Sequence, residues 1–266
     1  ILGSPMYGTA PLSEVLSEAK SIDAAAIDIW PRPHADHREQ IKELGLDHTE
    51  ELLRKYHVRL EVITRYDLGP YRLTQEMPVL QRFGGSLLVT GAHQQGVGET
   101  LKEQVAKFVE SMKPHVAAAE EHGLTIGIEN HGGSLLDSPD SIRYFADFSF
   151  TPRLGVALAP YHLPQDPHLI ADIIEHLGDK LVFFQAWQHG NGSHEKLPKE
   201  QELLQLPGRG PLDFTPLLAA LRRINYQGWT EIFMHPVPRG IPIRDTTPEV
   251  TDEINRARAY LEERLV

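Results

Sequence analysis

The 266 residues carry 37 acidic against 26 basic side chains, a balance that repels phosphate backbones and anionic bilayers, so neither nucleic acid nor a membrane is expected as a partner. Cysteine is absent, which excludes disulfides, thiolate zinc sites and cysteine nucleophiles. No run approaches the ~20 consecutive apolar residues that a bilayer-spanning helix needs.

A chain of this length suits one large unit, since α/β barrels reach about 250 residues as a single domain, and one domain over residues 1–266 is expected. The opening ILGSP has no methionine and no basic-then-apolar leader, and is read as the start of a processed or trimmed product. A cytoplasmic location is expected, with a processed secreted form as the alternative, because the lack of cysteine is compatible with both.

Strand-like runs fall at 1–3, 25–30, 58–62, 86–90, 124–129, 154–158, 181–185 and 229–233, with helical periodicity between them. After the first run, MYGTAPLSE has no GxGxxG, the turn that announces an open, doubly wound dinucleotide-binding sheet. No nucleotide cofactor is therefore expected. The second run, AAAIDIW, ends on Trp30, which either caps the core or offers a platform to the C–H faces of a sugar. A polar loop with Arg32, His34, His37, Arg38 and Glu39 follows. Asp28 has inward parity, and a structural pairing with Arg65 is expected for it. The fourth run leads into TGAHQQG with His93.

The clearest helix covers 98–122, where Leu101, Val105, Phe108, Val109, Met112, Val116 and Ala119 recur at steps of three and four. The fifth run, LTIGIENHGG, is apolar until it stops on Glu129, Asn130 and His131. Further helix starts are signalled by Ser138-Pro139, Thr215-Pro216 and Thr247-Pro248, each read as a cap followed by a first-turn proline. The sixth run continues into APYHL with His162. The seventh, FFQAWQHGNGSHEK, contains Gln185, Trp187 and His189 and opens a loop of about 25 residues before the next helix, a length that marks either a functional lid or a disordered segment, and a lid is expected. The eighth, GWTEIFMH, contains Glu231 and His235, and Arg239 follows. Arg239 is either a solvated surface group or a holder of a substrate carboxylate or phosphate.

Strand alternating with helix eight times predicts a parallel sheet closed into a single-domain α/β (β/α)8 TIM barrel, because parallel neighbours need helical crossovers. In such a barrel one parity of each strand faces the axis, and functional groups sit where strands end. Leu124, Ile126 and Ile128 then face the helices, while Thr125, Gly127 and Glu129 point inward with Glu129 uppermost. Glu231 shares the inward parity of Trp229 and Phe233. Burying an unpaired carboxylate is costly, so such a group acquires a metal, a cation or a proton.

With AAAIDIW, IENHGG, LGVALAPYHL, PGRGPLDFTPLLAALRRINYQGW and TEIF, the chain resembles the xylose-isomerase-like barrels of the sugar isomerase and epimerase type, which also include AP endonucleases and inosose dehydratases. The resemblance implies a divalent metal, Mn²⁺, Mg²⁺ or Zn²⁺, held by Glu, Asp, His and Glu from strands five to eight, and proton transfer beside a carbonyl. Glu129 and Glu231 match the two glutamates. The aspartate is replaced by Ala159 and the histidine by Gln185, while His162 matches a substrate-facing histidine. The ligand set expected here is thus Glu129, Glu231 and Gln185, a loose one, because a methyl offers no electron pair and an amide oxygen is a weak neutral donor.

The expected function is isomerisation or epimerisation of a sugar, keto-sugar or polyol, with Glu129 and Glu231 as acid and base. His162, Trp30, His93, His131, Gln185, Trp187 and Arg239 are the expected substrate contacts. A lyase or dehydratase on an oxidised sugar and a non-catalytic carbohydrate-binding barrel are the alternatives. A homo-oligomer is compatible with all three. AP endonuclease chemistry is not expected, because it calls for several metals and a basic groove for DNA.

Overall fold

A computed structural model describes residues 1–189 and 195–265. Eight parallel strands close into one barrel in chain order: β1 (Leu2–Gly3), β2 (Ala26–Ile29), β3 (Arg59–Thr64), β4 (Leu87–Gly91), β5 (Thr125–Glu129), β6 (Leu154–Leu158), β7 (Leu181–Ala186) and β8 (Trp229–Ile232). Closure is made by Leu2 of β1 pairing opposite Ile232 of β8. The fold is the expected single-domain (β/α)8 barrel, and the sixth strand has the expected bounds.

Around the barrel run α1 (Leu12–Ala19), α2 (His37–Leu44), α3 (Leu46–Tyr56), α4 (Met77–Arg82), α5 (Leu101–Glu121), α6 (Pro139–Phe148), α7 (Pro167–Leu177), α8 (Lys199–Glu202), α9 (Thr215–Arg223) and α10 (Thr247–Glu262). α5 begins at Leu101 and not at 98, and its apolar stripe from Val105 to Ala119 is buried as its periodicity required, with Leu101 half-buried; Thr100 and Glu103 close a capping box at its start. Ser138 caps α6 with Pro139 in the first turn, also as expected.

Two other starts differ. In α10 the cap is Thr246, whose hydroxyl accepts from Glu249 N while Glu249 reaches back, so Thr247 is the first helical residue. In α9 Thr215 is already helical, and its N–H donates to the Asp213 carboxylate at 2.9 Å. The long segment after β7 is not structureless to the next helix: α8 and a 3-10 turn at Leu203–Gln205 fall inside it. Its stretch 190–194, where a lid was expected, lies outside the described residues. Among the described residues no helix is long and apolar enough to cross a membrane.

Two apolar layers result. Leu124, Ile126 and Ile128 pack with the helices in the main core, whereas Val62, Leu87, Val89, Ala157 and Phe183 form a separate cluster inside the barrel. This inner plug closes the barrel below the strand ends, so any polar residue one step higher on the same parity lies on a dry floor.

Candidate functional site

On that floor stand Glu129 at the end of β5, Gln185 on β7 and Glu231 on β8, all buried. Gln185 lies opposite Glu231 in the β7–β8 register, and its Nε2 donates to Glu231 Oε2 at 3.2 Å. The same amide interacts with Glu129. Two glutamates from strands that are not neighbours thus stand near one neutral side chain, which is hydrogen-bonded to Glu231.

A third carboxylate joins them. Asp28 on β2 is fully buried, and its Oδ2 accepts from Trp30 Nε1 at 2.6 Å and from Thr64 Oγ1 at 2.8 Å. The expected partner Arg65 does not reach it. Thr64 holds the inward position on β3, and the next residue, Arg65, turns away to pair with Asp67 and Glu76. Asp28 therefore belongs to the acid floor and not to a separate ion pair.

Burial dominates the electrostatics of this floor. It raises Glu129 well above the usual carboxylate range, and the charge of Asp28 raises it further. Glu231 is raised by the same two causes in the same order, against the Gln185 hydrogen bond, which lowers it. Asp28 is pushed up to about 7 by burial despite the donors Thr64 and Trp30. Three like charges in a low-dielectric space cannot all form, so the floor retains protons at neutral pH. Glu129 Oε2, Glu231 Oε1, Gln185 Oε1 and Asp28 Oδ1 are buried and accept no hydrogen bond from the described residues.

Above the floor rises a wall of rings. Trp30 stacks on Phe233 at 5.0 Å, and Trp187 stacks on Tyr161 at 3.9 Å with its indole N–H committed to Gln205 at 2.9 Å. Both tryptophans are buried walls and not exposed rim platforms. His162 Nε2 stands 3.7 Å from Glu129 Oε1, and His131 lies against His162 with ring centres 4.2 Å apart. His34 and His235 face each other at 4.6 Å, and burial keeps both neutral: His34 is lowered to about 4, with Arg239 as the next cause, and His235 falls well below the ordinary histidine range.

A cavity of about 570 Å³ opens beside this wall, lined by His34, Tyr66, Gly91, His93, His131 and Ser134 among others. His93 and His131 are at its exposed end. Arg239 sits partly buried on the loop after β8, within electrostatic reach of Tyr161 and His34. Another cavity of about 590 Å³ lies between α9, α10 and the strand starts, lined by Ile22, Leu218, Leu221 and Tyr226. It is at the wrong end of the barrel for the strand-end carboxylates. Of the polar loop after β2, only His34 joins the mouth contacts described above: His37 is buried against the Ala10 carbonyl, and Arg38 pairs with Glu76. Sequence reasoning passed over Tyr66, Tyr161 and Gly3, and it assigned Asp28 a different partner. The inward parity of AIDIW was the signal available for Asp28.

The floor does not fit the metal that the resemblance implies. Ala159 contributes only a methyl, with its backbone N–H and C=O both bound by the Asn130 amide at 2.7 and 3.0 Å. Gln185 directs its N–H side at Glu231. Among the described residues no three Asp, Glu or His side chains converge as metal ligands. The two glutamates and one neutral amide make a poor donor set for Mn²⁺, Mg²⁺ or Zn²⁺, and Asp28, the third carboxylate, is held by Trp30 and Thr64.

A D-psicose 3-epimerase from Enterocloster bolteae is 27% identical over 159 residues, 56% of this chain and 48% of the relative, so the chain spans about half the length of that curated protein. A D-psicose 3-epimerase from Clostridium cellulolyticum H10, solved with D-tagatose, superposes with a TM-score of 0.75 at 14% identity, covering 99% of this chain and 98% of that one. An IOLI protein solved with a zinc atom superposes with a TM-score of 0.73 at 16% identity, covering 99% and 97%. At such identities these structures show a shared fold. Residues 16–260 match the family model of the xylose isomerase-like TIM barrel, and the chain belongs to that family.

Proposed function

We propose that the protein is an enzyme, a keto-sugar epimerase or isomerase, in which Glu129 and Glu231 exchange protons with a carbon next to a carbonyl. The observation that carries this reading is the pair of buried glutamates beneath the ring wall, with Gln185 hydrogen-bonded to Glu231 and close to Glu129. The D-psicose 3-epimerase relative supports the same chemistry.

The raised values of both glutamates supply the two forms the reaction needs. The ionised member takes the proton from the C–H bond, and the bonding pair moves to make an enediolate, with the negative charge on the former carbonyl oxygen. The protonated member then returns a proton to carbon. Return to the opposite face of the same carbon inverts it, and return to the former carbonyl carbon, with the neighbouring hydroxyl passing its proton to the former carbonyl oxygen, isomerises the sugar. Atoms and charge balance without any further reactant. Asp28 holds the local charge high, which keeps a proton on the floor.

The substrate is assigned to the space over the floor. His162 beside Glu129, Trp30 and Trp187 in the wall, Gln185 below, and His93, His131 and Arg239 at the rim are its proposed contacts. Each step uses this chain's own side chains and draws nothing from a metal.

The test is solvent exchange. A panel of ketoses, keto-acids and ketose phosphates is incubated in D₂O with the purified protein, and deuterium at the carbon next to the carbonyl is followed by NMR. One compound should exchange and give a new stereoisomer or structural isomer, and Glu231→Gln should abolish this while the circular dichroism spectrum is kept. Exchange that persists at the wild-type rate in Glu231→Gln removes the reading. Saturable sugar binding without exchange would instead favour the non-catalytic barrel that Ala159 and Gln185 suggest.

A further inference from the structure

We propose that the substrate is an anionic sugar, bearing a carboxylate or a phosphate, and that Arg239 holds this group at the rim while the reactive carbon lies over Glu129 and Glu231. The assignment rests on the proton-transfer reading above and adds the substrate class to it.

Arg239 lacks what its counterparts have. Among the described residues its guanidinium makes one hydrogen bond, from Nη1 to the Pro236 carbonyl at 3.1 Å. Every other arginine that is at least partly buried among the described residues stands within 4.0 Å of a carboxylate, Arg38, Arg65, Arg209 and Arg244 among them. The groups around Arg239 are Tyr161, His34 and His235, none of them an acid that is ionised at neutral pH. Withdrawing a cation from water without a counter-ion costs stability, and a protein that pairs its other partly buried arginines leaves this one open at the mouth of its site.

The seat is also fixed before any ligand arrives. A Cβ on Gly240 would stand 3.0 Å from the Pro33 carbonyl, so the loop after β8 lies directly on the loop that carries His34. The loop is tied on its other side too, where Ile243 N–H donates to the Met6 carbonyl at 3.0 Å and Tyr7 bridges Pro242. A planar fork of N–H donors on a pinned backbone matches the paired oxygens of a carboxylate or phosphate, whereas a neutral sugar offers it only hydroxyls. His34 and His235 connect this seat to the wall, His34 lining the 570 Å³ cavity and His235 lying 4.6 Å from Phe233. A molecule with an acid at one end and a carbonyl at the other spans the arrangement from rim to floor.

Calorimetric titration decides the matter with two matched pairs of ligands: D-fructuronate against D-fructose, and D-ribulose 5-phosphate against D-ribulose. At least one charged member should bind about 10- to 100-fold tighter than its neutral partner, the range expected of a charge-assisted bidentate contact. Whichever pair shows the difference tells carboxylate from phosphate. Arg239→Met should bring the ratio close to one, and Arg239→Lys should restore part of it at a thermal midpoint equal to wild type. If neither charged sugar out-binds its neutral partner, or if Arg239→Met keeps the wild-type ratio, the proposal is overturned. A retained preference for the charged ligand without deuterium exchange at its α-carbon would remove the epimerase reading and leave the anion site standing.

Discussion

Gln185 donates its amide N–H to Glu231 across 3.2 Å and lies within electrostatic reach of Glu129, so a neutral amide sits where the family resemblance implies a metal-binding histidine. The amide stands beside two acids that both hold protons more tightly in the folded chain than in the unfolded one. Their folded values are raised, so the stability they contribute is complete below the ordinary carboxylate range and is lost as pH rises through the raised values. Glu129→Gln and Glu231→Gln remove that loss. Each variant should match or exceed the wild-type melting temperature at neutral pH, with the advantage shrinking as the pH falls to about 4. Turnover should fall by roughly 10²- to 10⁴-fold in the same proteins. Melting curves across pH check the first half, and a wild type that gains stability over its glutamine variants as pH rises would contradict it.

Asp28 raises both glutamates through its charge, while Thr64 and Trp30 hold its own carboxyl in place. Asp28→Asn keeps the shape and removes the charge. The pKa of the catalytic base should drop, so the ascending limb of the pH–rate profile should move to lower pH. Asp28 acts here as a positioning group, and a purely structural role would lower activity at all pH values without moving the limb. Profiles of kcat/KM for the two proteins distinguish these outcomes.

The barrel and the inward placement of Glu129 were legible because a strand of period two, ending on polar residues, leaves one choice of face. The plug explains why parity alone was sufficient: Val89, Ala157 and Phe183 close the space beneath, so the next inward step is necessarily the floor. The three proline-marked helix starts were legible to within a residue, whereas α5 begins at Leu101 and not at 98. At Thr246-Thr247-Pro248 two threonines compete, and the glutamate three residues on selects Thr246, a signal present in the sequence. What the sequence hid are contacts made by closure. Gly3 and Glu231 lie at opposite ends of the chain and meet only because β8 returns to β1. The partner of Asp28 was hidden for a related reason, since choosing between Thr64 and Arg65 needs the point at which β3 ends.

The donor set at the floor can be completed by substitution. Ala159→Asp with Gln185→His would add a carboxylate and an imidazole to Glu129 and Glu231, giving the ligand types that the family resemblance implies. After dialysis against Mn²⁺ or Zn²⁺, the double variant should retain about one ion per chain, and the wild type a small fraction of that. Gln185→His alone is the control for folding. A stoichiometric ion that survives dialysis in the wild type would show that the two glutamates and the amide suffice, contrary to the donor argument.

The narrowest tolerance in the site is at Gly3. A methyl added there would stand 2.5 Å from Glu231 Oε1 and 3.0 Å from its Cδ, closer than real contacts allow. The clash falls on a side-chain end, which ordinarily swings aside at little cost. Here it has little room, because Gln185 holds the other oxygen and the whole side chain is buried. Gly3→Ala should therefore push the carboxylate off its position while leaving the fold nearly as stable, a few degrees in melting temperature at most. Displacing a reacting group by about 1 Å costs on the order of 10²-fold in rate, so kcat should fall by roughly 10- to 100-fold with KM little changed. Steady-state kinetics on the exchanging substrate provide the measurement. Wild-type kcat in Gly3→Ala would mean that Glu231 has slack in the floor, and that its placement is not what sets the rate.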